Sequence, residues 1–94
     1  MRTQIEGAFV SLATEKYESN GEQRRFDELF VLQRDTGKVH TIRVTDEAVS
    51  VAEALAASCK LGDPVALVVD VRSFTQGKRS VMSFTLVYGE TLAA

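Results

Sequence analysis

The chain has 94 residues, 45% of them hydrophobic and 26% charged, and a formal net charge of −2. That length holds one core and excludes two separately folded domains, so residues 1–94 are expected to form a single unit. No apolar run approaches the roughly 20 residues that span a bilayer, which argues against a membrane partner. Cys59 is the only cysteine and His40 the only histidine, which excludes an internal disulfide and a zinc site of the usual ligand number within one chain.

The lone cysteine suits a reducing compartment, and the opening "MRTQIEGAFV" lacks the apolar stretch of a secretory signal. A cytoplasmic location is the expectation. An acidic total supplies no global field for polyanions, so any such partner must be met by local charge. Lys16, Arg24, Arg25, Lys38, Arg43, Arg72, Lys78 and Arg79 fall on expected strands or hairpin turns. Asp46, Glu47, Glu53 and Asp63 gather in or beside the one helical segment, while Glu15, Glu18, Glu22, Asp27 and Glu28 share the first hairpin with basic residues.

In chain order, "GAFVSLATEKY" reads as a strand, and Asn20-Gly21 is a hairpin signal because both central positions of that turn take positive φ. "RRFDELFVLQR" is the second strand, "DTGK" a turn with Gly37 in the left-handed position, and "KVHTIRV" a short third strand. The period then changes. "SVAEALAASCKLG" places Val51, Leu55 and Cys59 four apart, with Ala52 and Ala56 alongside, which predicts one apolar helical face. Ser50 and Glu53 have capping-box spacing, Gly62 fits just past the helix, and Pro64 blocks its continuation. "PVALVVDVRSF" and "RSVMSFTLVYG" are two further strands joined by "TQGK", and residues 90–94 are expected to fray. The order β-β-β-α-β-β, mainly β with one helix between the third and fourth strands, is that of a five-stranded OB-fold-like barrel.

In such a barrel ligands cross the second and third strands, between the loop joining the first two strands and the loop joining the last two. The cations of this chain collect in those regions. Single-strand nucleic-acid binders combine a basic groove with aromatic rings on which bases stack. On the second strand Asp27, Leu29, Val31 and Gln33 share one face, and Phe26, Glu28, Phe30, Leu32 and Arg34 the other. If Leu29 and Val31 point inward, Phe26 and Phe30 form an outer platform. If Phe30 and Leu32 point inward, the platform vanishes and Leu29 and Val31 offer a surface to a second copy. The pattern leaves both registers open.

The third strand sets His40, Ile42 and Val44 against Thr41 and Arg43, which puts Arg43 on the binding surface, to contact phosphate, lie on a base, or pair with Asp27 or Glu28 across the hairpin. On the last strand Met82, Phe84, Leu86 and Tyr88 alternate with smaller or polar residues, so they are expected to make its apolar core face. Phe74, Lys78 and Arg79 then lie near the hairpin tip, beyond the barrel's own core.

The hairpin "VRSFTQGKRSVMSFTLVYG" resembles the closing hairpin of the filamentous-phage helix-destabilising proteins, small OB-fold dimers that coat single-stranded DNA. The shared features are Ser73-Phe74, Gly77 two residues beyond Thr75, and Ser80-Val81-Met82 opening the last strand. "RRF" before the second strand and "HTIRVTDE" in the third are similar as well, so that about half the chain takes part. The resemblance implies base stacking on Phe26 and a phosphate contact at Arg25. The hairpin is one residue shorter than in that family, and Lys78 and Arg79 stand where an aromatic is expected.

Catalysis finds no support. The glycines are isolated rather than clustered in a phosphate loop, no cofactor motif is present, and Asp27 and Glu28 face opposite sides of a strand. The leading expectation is single-stranded DNA binding with little sequence preference. Arg24, Arg25, Arg43, Arg72, Lys78 and Arg79 would track phosphates, and Phe26, Phe30 and Phe74 or Tyr17 would stack bases. The residue types do not separate DNA from RNA. One small barrel covers few nucleotides, so a homo-oligomer, foremost a dimer, is expected. The rival is an acidic module for protein contacts, in which the phenylalanines form an apolar patch rimmed by cations.

Overall fold

The computed structural model describes residues 1–92. Five strands, β1 (Arg2–Ser19), β2 (Glu22–Gln33), β3 (Lys38–Val44), β4 (Pro64–Gln76) and β5 (Arg79–Thr91), close into a barrel in the order β1-β2-β3-β5-β4. A short 3-10 turn, Asp46–Ala48, leads into the helix α1 (Val49–Ser58) between β3 and β4. This is the expected OB-fold architecture. All neighbouring strands are antiparallel except β3 and β5, whose parallel contact comprises only Ile42–Phe84 and Arg43–Thr85.

The turns form where the backbone demands were legible. Asn20 (φ 55°) and Gly21 (φ 76°) both adopt the left-handed region, as the tight turn between β1 and β2 requires. At the β4–β5 tip only Gly77 (φ 65°) does so, and Lys78 completes the two-residue loop between the paired Gln76 and Arg79. Glycine at the first central position and an ordinary residue at the second is the two-residue hairpin pattern that matches strand twist.

Leu29, Val31, Ile42, Val65, Leu67 and Val69 are fully buried at the barrel centre, and Ala48, Ala52, Leu55 and Cys59 cover one end. The small alanines let α1 approach the strands closely, chiefly β5. The helix differs from expectation at both ends. It already runs at Val49, so Ser50 lies inside it and no side chain caps it; Glu53 reaches outward to Arg25 instead. Its end comes at Ser58, where the Cys59 amide donates to the Leu55 carbonyl (3.0 Å), and Gly62 (φ 92°) serves the following turn.

Two strands also run further than the residue pattern showed. β1 begins at Arg2, pairing Arg2–Ala8 with Pro64–Asp70. Of residues 90–94, expected to fray, Glu90 and Thr91 lie in β5, paired with Ala66 and Val65, and the Leu92 amide donates to the Pro64 carbonyl (2.8 Å); residues 93–94 lie outside the described part.

The apolar alternation on β5 is corrected as well. A bulge at Val87 moves the β4 partner from Tyr88, opposite Val68, to Leu86, opposite Val69. Inward parity passes to Gly89, whose absent side chain leaves room for Leu67; a Cβ there would come within 2.6 Å of Leu67 Cδ2. Tyr88 is turned out (53% exposed), and Met82 (59% exposed) lies beyond the stretch where β3 covers β5, so only Phe84 and Leu86 of that row serve the core.

Candidate nucleic-acid interface

The register decides which face of β2 is outward. Leu29 and Val31 are fully buried, and Leu29 pairs with Ile42 inside the barrel. Phe26, Glu28 and Phe30 therefore stand on the outer face, joined by Tyr17, Glu15, Ala13 and Ser11 from β1 and by Arg43 and Thr41 from β3. Of the two registers compatible with the residue pattern, this is the one with the aromatic platform.

At its centre the Arg43 guanidinium lies over the Phe26 ring, 5.5 Å from the ring centroid. A cation over an aromatic face is held by the ring quadrupole, so it keeps its charge while losing freedom. No carboxylate pairs with Arg43 among the described residues, although Glu28 is its direct cross-strand neighbour. Tyr17, Arg25, Phe26, Arg43, Asp46 and Thr85 line one depression beside this pair.

A groove follows where β3 and β5 diverge beyond their short parallel contact. Lys38, Val39 and Thr41 line one wall, and Arg79, Val81 and Met82 the other. Both cations project into a cleft whose floor holds His40 and Phe84, packed edge to face with centroids 5.5 Å apart. His40 Nε2 also lies 2.7 Å from Gln33 Oε1, so the imidazole is tied down within the groove. Nothing local marks Val39, Thr41, Val81 and Met82 as groove residues, because β3 and β5 meet across about half the chain and leave no short-range pattern.

The remaining sequence candidates separate into two groups. Arg72, Phe74 and Arg79 share the outer face of the β4–β5 hairpin, with Phe74 opposite Val81 and 49% exposed, and Lys78 sits at the tip. None of these cations has a side-chain partner among the described residues. Arg24 lies on the outer face opposite Tyr17 and is only loosely near Glu22 (3.9 Å).

Arg25 also lines the depression beside Phe26, but unlike these cations it is paired with carboxylates. It shares its side of β2 with Asp27, and its Nε donates to Asp27 Oδ1 (2.9 Å) while a terminal nitrogen donates to Glu53 Oε1 on α1 (2.8 Å). The bond to Glu53, and then that to Asp27, raises its already high pKa, so it stays charged at any accessible pH. Asp27 is only 3% exposed, and accepts a second hydrogen bond from the Thr14 hydroxyl (2.6 Å). Burying that carboxylate is tolerable because both partners are in place. Arg25 thus links β2 to the helix.

Among the described residues no group of His, Cys, Asp or Glu is arranged to hold a metal ion, and no helix is long and apolar enough to cross a membrane.

No protein-family model matches the sequence, and no curated protein is significantly similar to it. Solved structures do match. The mitochondrial single-stranded DNA-binding protein of S. cerevisiae superposes with a TM-score of 0.72 at 16% identity, covering 98% of this chain and 95% of that one. A second crystal form of the same protein gives 0.64, also at 16% identity, over 97% and 91% of the two chains. A small single-stranded DNA-binding protein from Streptomyces coelicolor is more distant, at 0.48 and 14% identity over 97% and 91%. The OB-fold likeness to the yeast protein therefore extends over nearly the entire chain.

Proposed function

We propose that this protein binds single-stranded DNA, without catalysis and with little sequence preference, across the outer face of β2 and β3 and the adjoining groove. The observation that carries the reading is the half-buried Phe26 ring with Arg43 poised over it, in the middle of a face that also bears Phe30 and Tyr17. A base sliding onto Phe26 exchanges one flat cationic neighbour for another stacked layer, and Arg43 then lies beside the sugar-phosphate backbone. Arg24, Arg72, Lys78 and Arg79 extend the cationic track, and Phe74 offers a further ring on the hairpin. The fold likeness to a mitochondrial single-stranded DNA-binding protein supports the same reading.

Arg25 is excluded from this track because its charge is already matched by two carboxylates. One barrel contacts only a few nucleotides, so useful affinity calls for a homo-oligomer, a dimer in the simplest case, and a cytoplasmic role in handling exposed strands.

The test is binding of a fluorescent oligothymidylate at about 50 and about 200 mM salt, with duplex DNA as control. Tight binding to the single strand that weakens steeply with salt is expected. Absence of binding at the lower salt contradicts the reading and favours a protein partner for the exposed phenylalanines.

A further inference from the structure

Glu28 sits on the outer face of β2 midway between Phe26 and Phe30, each about 7 Å away along the strand. Its direct neighbours are Ala13 on β1 and Arg43 on β3. Arg43 is the natural partner for it, yet its guanidinium lies over Phe26 instead. Glu28 makes no hydrogen bond or ion pair among the described residues. A bare carboxylate thus stands between the two rings of the platform.

Such a group repels phosphate, but toward the bases it acts as an acceptor with no donor of its own. A base stacked on either ring turns its Watson–Crick edge within reach, because a single strand leaves that edge unpaired. Cytosine, adenine and guanine each offer an exocyclic amino group there. Thymine presents two carbonyl oxygens around a single N–H, so a carboxylate meets acceptors on both sides.

We infer that Glu28 gives the platform a graded preference, favouring bases that carry an exocyclic amino group over thymine. This rests on the single-strand reading above, and it concerns base chemistry, not a sequence motif. A carboxylate accepting from the cytosine amino group is an established form of base discrimination.

The test compares affinities for oligodeoxycytidylate and oligothymidylate of equal length at mildly alkaline pH, where cytosine stays neutral. Free strands differ in their own stacking, so the informative quantity is the cytidylate-to-thymidylate affinity ratio of the protein divided by that of Glu28→Gln. The free-strand contribution cancels in this quotient. Glutamine replaces one acceptor by an amide donor that suits a thymine carbonyl, so the ratio is expected to fall about fivefold in the variant. Glu28→Ala, which removes the acceptor outright, should lower it as well. Glu28 is half-buried on the outer face, and unchanged melting of both variants confirms that the comparison is between folded proteins. If both oligomers bind well and the ratio is the same in all three proteins, the inference is overturned and the proposed function stands. If neither oligomer binds, both fall.

Discussion

The two faces of β2 carry similar residue types in opposite circumstances. Inward, Arg25 is matched by Asp27 and Glu53, Asp27 is sealed by Thr14 and Arg25, and Leu29 and Val31 are fully buried. Outward, Arg24 is nearly free, Phe26 and Phe30 are part-exposed, and Glu28 has no partner. A cation, a carboxylate and apolar side chains thus occur on both sides of one strand. On one side their interactions are satisfied within the molecule, and on the other they are left open. The inner face holds the fold together, and the outer face is free to recognise something else.

That division is open to attack from either side. The largest effect is expected inside: Leu29→Ala removes fully buried volume and should cost about 2–5 kcal/mol in a denaturation experiment. The fraction that stays folded should bind DNA as before. Phe26→Ala is the counterpart outside. It should weaken oligothymidylate binding by about 1–3 kcal/mol, measured by fluorescence anisotropy, and leave the melting curve close to that of the parent. A large loss of stability in Phe26→Ala would mean that the ring belongs to the core.

The hairpin cations give a smaller but more specific signature. Lys78→Ala with Arg79→Ala should lower the slope of log affinity against log salt by roughly 0.7 for each phosphate that is no longer neutralised. An unchanged slope would make these two residues an ordinary solvated turn. Arg25→Gln sharpens the contrast further, because it deletes a cation already paired with two carboxylates. Its salt slope should match that of the parent, and its melting temperature should fall by a few degrees as Asp27 is deprived of a partner. A reduced slope would place Arg25 on the DNA after all.

The elements were legible where the backbone itself constrains the residue. Asn20-Gly21, Gly37 and Gly77 occupy turns that take positive φ, and Pro64 opens β4, so the order of strands and helix follows from them. The face of β2 was not legible, since Leu29 and Val31 on one side and Phe26 and Phe30 on the other are equally apolar. Only pairing with Ile42 inside the barrel decides between them. The β5 bulge was hidden for a similar reason: the alternation of Met82, Phe84, Leu86 and Tyr88 is unbroken in sequence, and the extra residue shows only against β4. Arg25 reads as one more basic residue because its second carboxylate lies 28 positions away, on the helix. Composition places the cations on strands and hairpin turns, and long-range pairing decides which of them have carboxylate partners.

The division between the two faces is best probed by titrating isotope-labelled protein with oligothymidylate, followed through its aromatic and arginine side-chain resonances. Shifts are expected at Phe26, Phe30, Arg43 and Arg79, with Arg25 and the residues of α1 unmoved. Shifts centred on Arg25 and α1, with Phe26 and Arg43 silent, would overturn it.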